Sequence, residues 1–157
     1  ENISEILSSV DTGRSLRLYA FAQGQLPRGM PSIDVHERGL DARADGFYRL
    51  GRVTGFDFQV QAKLLTQGDT ACALLDAVDA IEARGLLEFS FACRSGTHRS
   101  VACCVLLAAI VYLEAQICVT TDRTRRAAVE HGLVGSRSGT IAPSGHVLPL
   151  SAQQPRA

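Results

Sequence analysis

Residues 86–114, LLEFSFACRSGTHRSVACCVLLAAIVYLE, decide the fold of this 157-residue chain. Leu87, Phe89 and Phe91 alternate with Glu88 and Ser90 as they would along a strand. An eight-residue loop from Cys93 to Ser100, centred on Gly96, then leads into a helix running to about Glu114. The apolar run Val101–Leu113 has 13 residues, too few for the ~18 of a bilayer-spanning helix, so it predicts a helix buried in a protein core, with no membrane partner.

Upstream, Leu16, Leu18, Ala20 and Ala22 alternate with Arg17, Tyr19 and Phe21, which predicts a first strand ended by Gly24. Gln25–Pro31 reads as loop, and Ser32–His36 as a second, β-branched strand with Asp34 near its carboxyl end. Glu37–Asp57 is a loop of about 20 residues, the kind that walls or covers a site. Asp69 or Thr70 is placed to cap a helix whose face is Ala71, Leu74, Leu75, Val78 and Ile81, with Gly85 as its stop. Ile117–Thr121 supplies one more strand. Alternating strands and helices predict one α/β domain, a parallel or mixed sheet with crossover helices, over residues 15–127. Residues 1–14 are expected to be a flexible lead-in and 128–157 a flexible tail rich in Gly, Ser and Pro. No basic-then-apolar leader opens the chain, so a signal peptide is not expected; a fragment of a longer protein is consistent with the missing initiator Met.

Sixteen basic and sixteen acidic residues cancel, which removes any general pull toward nucleic acid or anionic lipid. Residues 1–121 hold 11 basic and 14 acidic side chains and residues 122–157 hold five and two, so the end of the chain is mildly basic, with Arg123, Arg125 and Arg126 clustered. Five cysteines without C-x-x-C spacing argue against a disulfide framework and a zinc site, and a reducing, cytoplasmic setting is expected. Cys72, Cys103, Cys104 and Cys118 read as small buried hydrophobes. His36, His131 and His146 lack partners at metal spacing and read as solvated. Neither a metal nor a cofactor is expected.

Cys93 is different. A strand-to-helix loop with Gly96 at its centre turns backbone N–H groups inward at the positive end of a helix, which is an anion cradle. Arg99 adds a fork for two phosphate oxygens, Ser100 or Thr97 a hydroxyl, and His98 a donor; the same setting depresses a thiol pKa. Three readings stay open. Cys-x5-Arg-Ser is similar to the signature loop of the cysteine-dependent phosphatases, with Cys93 as nucleophile and Arg99 as phosphate clamp; Ala92 stands where those enzymes usually have His, and neither Asp57 nor Asp69 lies in a recognisable acid loop. The loop instead only binds, or the fold is kept as a protein-interaction module without a ligand.

A wider stretch favours binding. Cys93–Val101 resembles the Cys-Thr-Gly-Gly-x-His-Arg-Ser-Val loop of the C-terminal domain of the RNase adapter protein RapZ family. Ile33-Asp34-Val35-His36 resembles its Phe-Asp-Val-Arg, Thr54-Gly55-Phe56-Asp57 its Thr-Gly-Leu-Asp, and Val119–Thr124 its closing basic strand, in the same order. The resemblance implies a phosphofructokinase-subdomain-like fold that holds a phosphorylated amino sugar and regulatory RNA, acts as an adapter to a protein partner, and forms a homo-oligomer. It implies ligand contacts at Gly96, His98, Arg99 and Ser100, at Asp34, and at Thr54, Gly55 and Asp57. Arg94 and Ser95 replace the family's Thr and Gly, His36 replaces its Arg, and the Asn-Pro-His that follows is missing from Gly39–Ala42. The family's nucleotide-binding loop, G-x4-G-K-[ST], is absent from the sequence, so ATP binding does not carry over. The expected function is a binding or adapter domain holding a sugar phosphate or an RNA phosphate at Cys93–Ser100, with Asp34, His36, Thr54, Gly55 and Asp57 as the further expected ligand contacts.

Overall fold

Leu18, Ala20, Phe89, Phe91, Ile117 and Val119 are all buried, and strands so thoroughly covered belong to the middle of a parallel sheet. The computed structural model, which describes residues 3–43, 49–131 and 146–147, contains that sheet. Strands β1 (Arg17–Ala22), β2 (Ser32–Asp34), β3 (Glu88–Cys93) and β4 (Gln116–Val119) run parallel in the order β2-β3-β1-β4. β5 (His146–Val147) pairs antiparallel with β4, so the sheet is mixed. β1 aligns Ala22 with Cys93, which brings the ends of the two central strands level.

Helix α1 (Ile3–Ser8) precedes the sheet; α2 (Phe58–Leu65) and α3 (Gly68–Arg84) join β2 to β3; α4 (Arg99–Ile110) joins β3 to β4; α5 (Asp122–Glu130) follows β4. The core is built around α4, in which every residue from Ser100 to Ala108 is buried, as the unbroken apolar run requires. Among the described residues no helix is long and apolar enough to cross a membrane.

The α/β class and the four strands agree with the pattern in the sequence, and Gly85 ends α3 with a left-handed φ of 60°. Other details differ. α3 begins at Gly68 after Gln67, not at Asp69 or Thr70, and its buried stripe is Thr70, Ala73, Ala77, Val78 and Ile81. Ala71 is exposed and Leu74 and Leu75 are half-buried, so the larger side chains flank the stripe and small residues let α3 approach its neighbours. Cys72 is exposed, whereas Cys103, Cys104 and Cys118 are buried as expected. The 1–14 segment carries α1, and the chain behind it is tied to α3: Arg14 Nη2 donates to Glu82 Oε2 at 3.1 Å, and the Asp11 N–H donates to the same oxygen at 3.4 Å. Tyr112, fully buried, donates to Glu82 Oε1 at 2.8 Å. Burial pushes the Glu82 carboxyl upward, but these donors outweigh it and hold it below its usual value. Val119–Thr124, likened to a basic strand, ends its strand at Val119 and turns into α5 at Asp122, where the Thr121 hydroxyl caps the helix by accepting from the Thr124 N–H at 3.2 Å. In the 128–157 tail, α5 continues to Glu130 and β5 adds an ordered edge; most of the rest of that tail lies outside the described residues.

Candidate functional site

Cys93 is the last residue of β3, and the chain turns through Arg94–His98 before α4 begins. Gly96 makes the turn possible. Its φ is 67°, and a Cβ there would sit 2.6 Å from Ala22 N and 2.9 Å from the Phe21 carbonyl carbon. The loop is thus pressed onto the end of β1, where only hydrogen fits. The Ser100 hydroxyl lies 3.1 Å from Cys93 Sγ, and the N–H groups of Ser100 and Gly96 are directed at the same sulfur. Burial works to raise the thiol pKa, but those three donors and the nearby Arg99 charge hold it below its ordinary value.

The loop forms one side of a cleft of about 610 Å³ at the carboxyl ends of the parallel strands, the position where α/β sheets bind ligands. Cys93, Arg94, Ser95, His98 and Arg99 line this side; His36 and Gly39–Arg43 line the other. Of the long loop after β2, Gly39–Arg43 and Leu50 wall the cleft; residues 44–48 lie outside the described ones. Arg99 spans the two sides: its Nη1 lies 2.9 Å from His36 Nδ1 and donates to Leu40 O at 3.0 Å.

Electrostatically the cleft favours an anion, with three guanidinium groups (Arg43, Arg94, Arg99) against one carboxylate among the lining residues described. That carboxylate, Asp41, accepts from Arg43 Nε at 3.0 Å and Nη2 at 2.9 Å, and this pairing lowers its pKa to about 2. Gln67, just before α3, fixes the wall by accepting from the Asp41 N–H at 2.9 Å and donating to its carbonyl at 2.6 Å.

Comparison with family models, curated proteins and solved structures finds no match to this chain. The site therefore stands on its own geometry.

That geometry does not gather every residue singled out in the sequence. Asp34 is not among the cleft lining; its carboxylate accepts from Gln23 Nε2 at 2.8 Å and from the His36 and Glu37 N–H groups at 2.9 and 3.1 Å. Burial opposes its ionisation, yet these bonds hold its pKa down, and they make Asp34 the brace of the turn after β2. Thr54, Gly55 and Asp57 also stand outside the lining. Thr54 is buried, its hydroxyl accepts from the Phe56 N–H at 3.2 Å, and its N–H donates to Asp57 Oδ2 at 2.7 Å. Asp57 further meets His131 Nε2 at 3.3 Å, so neither His36 nor His131 is merely solvated. The Gly55 N–H donates to Thr97 O at 2.9 Å, so this turn buttresses the Cys93–Ser100 loop from behind.

His98 is likewise committed to the scaffold. Its Nε2 lies 2.6 Å from Leu50 O, to which it donates, and Arg123 Nη2 donates to the carbonyls of Leu50 and Val53 at 2.8 and 2.7 Å. Arg123 is therefore a clamp rather than part of an exposed basic cluster, and Arg125 pairs with Asp122 at 3.6 Å. Nothing in the local sequence marks these contacts, because the partners lie 48 and more positions apart. Among the described residues no group of His, Cys, Asp and Glu is arranged to hold a metal ion.

Burial lowers the His98 pKa from its ordinary 6.5, and the Arg123 and Arg99 charges add to this against the pull of the two carbonyls. An unfolded chain takes up this proton at the ordinary value, whereas the folded chain resists, so the contribution is intact above about pH 6.5 and is lost as pH falls below it. Asp34, Asp41 and Glu82, also held low, withdraw theirs only below about pH 4. The melting temperature is expected to fall between about pH 7 and 5 in the wild type and to fall less over that range in His98→Gln, which retains a side-chain N–H for Leu50. An equal fall in the variant would remove His98 as the cause.

Proposed function

We propose that this domain binds a phosphorylated small molecule, of the sugar-phosphate class, at the Cys93–Ser100 loop and acts as a sensor or adapter, in the manner of the RapZ C-terminal domain it resembles. One observation carries the reading: the Arg99 guanidinium, on the first residue of α4, lines a cleft whose described lining holds three guanidinium groups and one carboxylate. A phosphate entering from the mouth meets the Arg99 guanidinium, with Arg94 on the same wall. The family's second-loop and strand-acid contacts do not support the reading, since Asp34, Thr54 and Asp57 are engaged elsewhere. Selectivity for the sugar falls instead to His36 and Gly39–Arg43, where this sequence departs from the family.

The test is a titration with inorganic phosphate, hexose phosphates, amino-hexose phosphates and a short RNA, read by calorimetry and thermal unfolding, with released phosphate assayed in the same samples. A ligand at about 100 times its Kd adds about 2.7 kcal/mol to stability. Stabilisation by a sugar phosphate without release of phosphate is the expected result. Absence of binding by every phosphate would end the proposal.

A cysteine phosphatase is the second reading, favoured by the low thiol pKa and the Ser100–Cys93 contact. Among the described lining residues it has no carboxyl to spare as a proton donor: Asp41, paired with Arg43, is held ionised. Phosphate release that disappears in Cys93→Ser would establish this reading over the first.

A further inference from the structure

The bridge across the cleft mouth depends on a proton. A guanidinium only donates, so at the 2.9 Å contact His36 Nδ1 supplies the lone pair and the imidazole is neutral, its proton on Nε2. Protonating the ring converts Nδ1 into a second donor. Two N–H groups and two positive charges then oppose each other, and the bridge to Arg99 is lost. A dianion seated between the two side chains satisfies both.

The charges around His36 leave this exchange local. On its own turn Asp34 accepts the His36 N–H, Glu37 follows in the chain, and Arg38 is paired with Asp76 of α3 at 2.6 Å. From α4 comes Arg99; from the loop before it come Cys93, Arg94 and His98; from the wall come Asp41 and Arg43, paired with each other. Arg99 is the group that shares a hydrogen bond with the His36 ring. His98 does not offer the same exchange, because its Nε2 is bonded to the Leu50 carbonyl.

We propose that His36 is a proton-linked anion ligand of the cleft: neutral, it latches Arg99 to the turn after β2; protonated, it releases Arg99 and joins it in holding a dianion. The proposal rests on the anion-binding reading of the site and adds its regulation. Anion binding takes up a proton at His36 and strengthens as the solution is acidified.

Sulfate is the probe, since it stays a dianion throughout, whereas a phosphate ester changes its own charge near pH 6. Its Kd is measured at constant ionic strength at about pH 8 and about pH 5.5, with proton uptake read by calorimetry in two buffers of different ionisation enthalpy. The wild type is expected to gain about fivefold to tenfold in affinity at the lower pH, with net proton uptake. His36→Gln keeps an acceptor for Arg99 but cannot titrate, and is expected to show neither. His36 lies on an exposed turn, and an unchanged unliganded melting curve checks that the variant is folded. A pH-independent wild type, or an equal gain in His36→Gln, overturns the gate while leaving anion binding in place. Failure of both sulfate and inorganic phosphate to bind at either pH overturns the binding reading and the gate with it.

Discussion

Gly55→Ala is expected to destabilise the domain by about 3 kcal/mol or more, enough to leave a protein of ordinary stability partly unfolded at 25 °C. A Cβ at this position would sit 2.2 Å from Ala102 N, 2.4 Å from His98 O and 2.6 Å from Val101 Cβ. Two of those atoms are backbone of the first turn of α4 and of the residue that precedes it, where the Ala102 N–H donates to the His98 carbonyl at 2.9 Å. They cannot move aside without breaking that bond or pulling the Cys93–Ser100 loop away from the strand ends. Gly51→Ala is the control, since nothing lies within 4 Å of a Cβ there, and its change should stay within about 0.5 kcal/mol. Urea unfolding of both variants checks the pair. A wild-type midpoint for Gly55→Ala would show that the second loop does not press on α4 as described.

Arg99→Ala should weaken anion binding by about 2 kcal/mol, roughly thirtyfold, if the cleft binds phosphate. Arg99 also donates to Leu40 O and meets His36, so its removal frees the wall of the cleft. Unliganded stability should therefore drop by about 1 kcal/mol, the usual worth of a hydrogen bond. Arg99→Lys should recover part of the affinity through its charge, yet little of the wall's stability, since a single ammonium does not reproduce the fork. Calorimetric titration with inorganic phosphate and urea unfolding separate the two effects. Equal phosphate affinity in wild type and Arg99→Ala would remove Arg99 from the ligand site.

Legibility in the sequence followed the range of the interactions. The β3–loop–α4 unit could be read because its signals are local: strand-forming Phe89 and Phe91, glycine at the turn and an unbroken apolar helix; the alternation itself does not hold, since β3 is buried on both faces and Leu87 is exposed. α3 and its stop at Gly85 were visible for the same reason. α2 was not, because Phe58 and Leu65 are exposed and only Val60 and Leu64 are buried, leaving a stripe too thin to show a period. β5 consists of two residues paired to a strand that ends 27 positions earlier, a contact that no local pattern announces.

For the site, the sequence by itself determined which chemistry is present: a cysteine at a strand end, a glycine able to turn, an arginine and a serine at the start of a helix. These follow from residue type and from spacing within eight positions. Only the tertiary structure decided how the polar groups were shared. Asp34, Thr54 and Asp57 look like ligand residues in a linear reading, but each accepts from backbone N–H groups of its own turn, buried or half-buried in the Thr54–Asp57 turn and exposed in the turn after Asp34. His98 and Arg123 are taken by the Leu50 and Val53 carbonyls for the complementary reason. His36 and Gly39–Arg43 reach the cleft because the chain after β2 folds back over the Cys93 loop. A donor's partner is set by proximity in space, and that information appears only once the sheet has brought the ends of distant strands together.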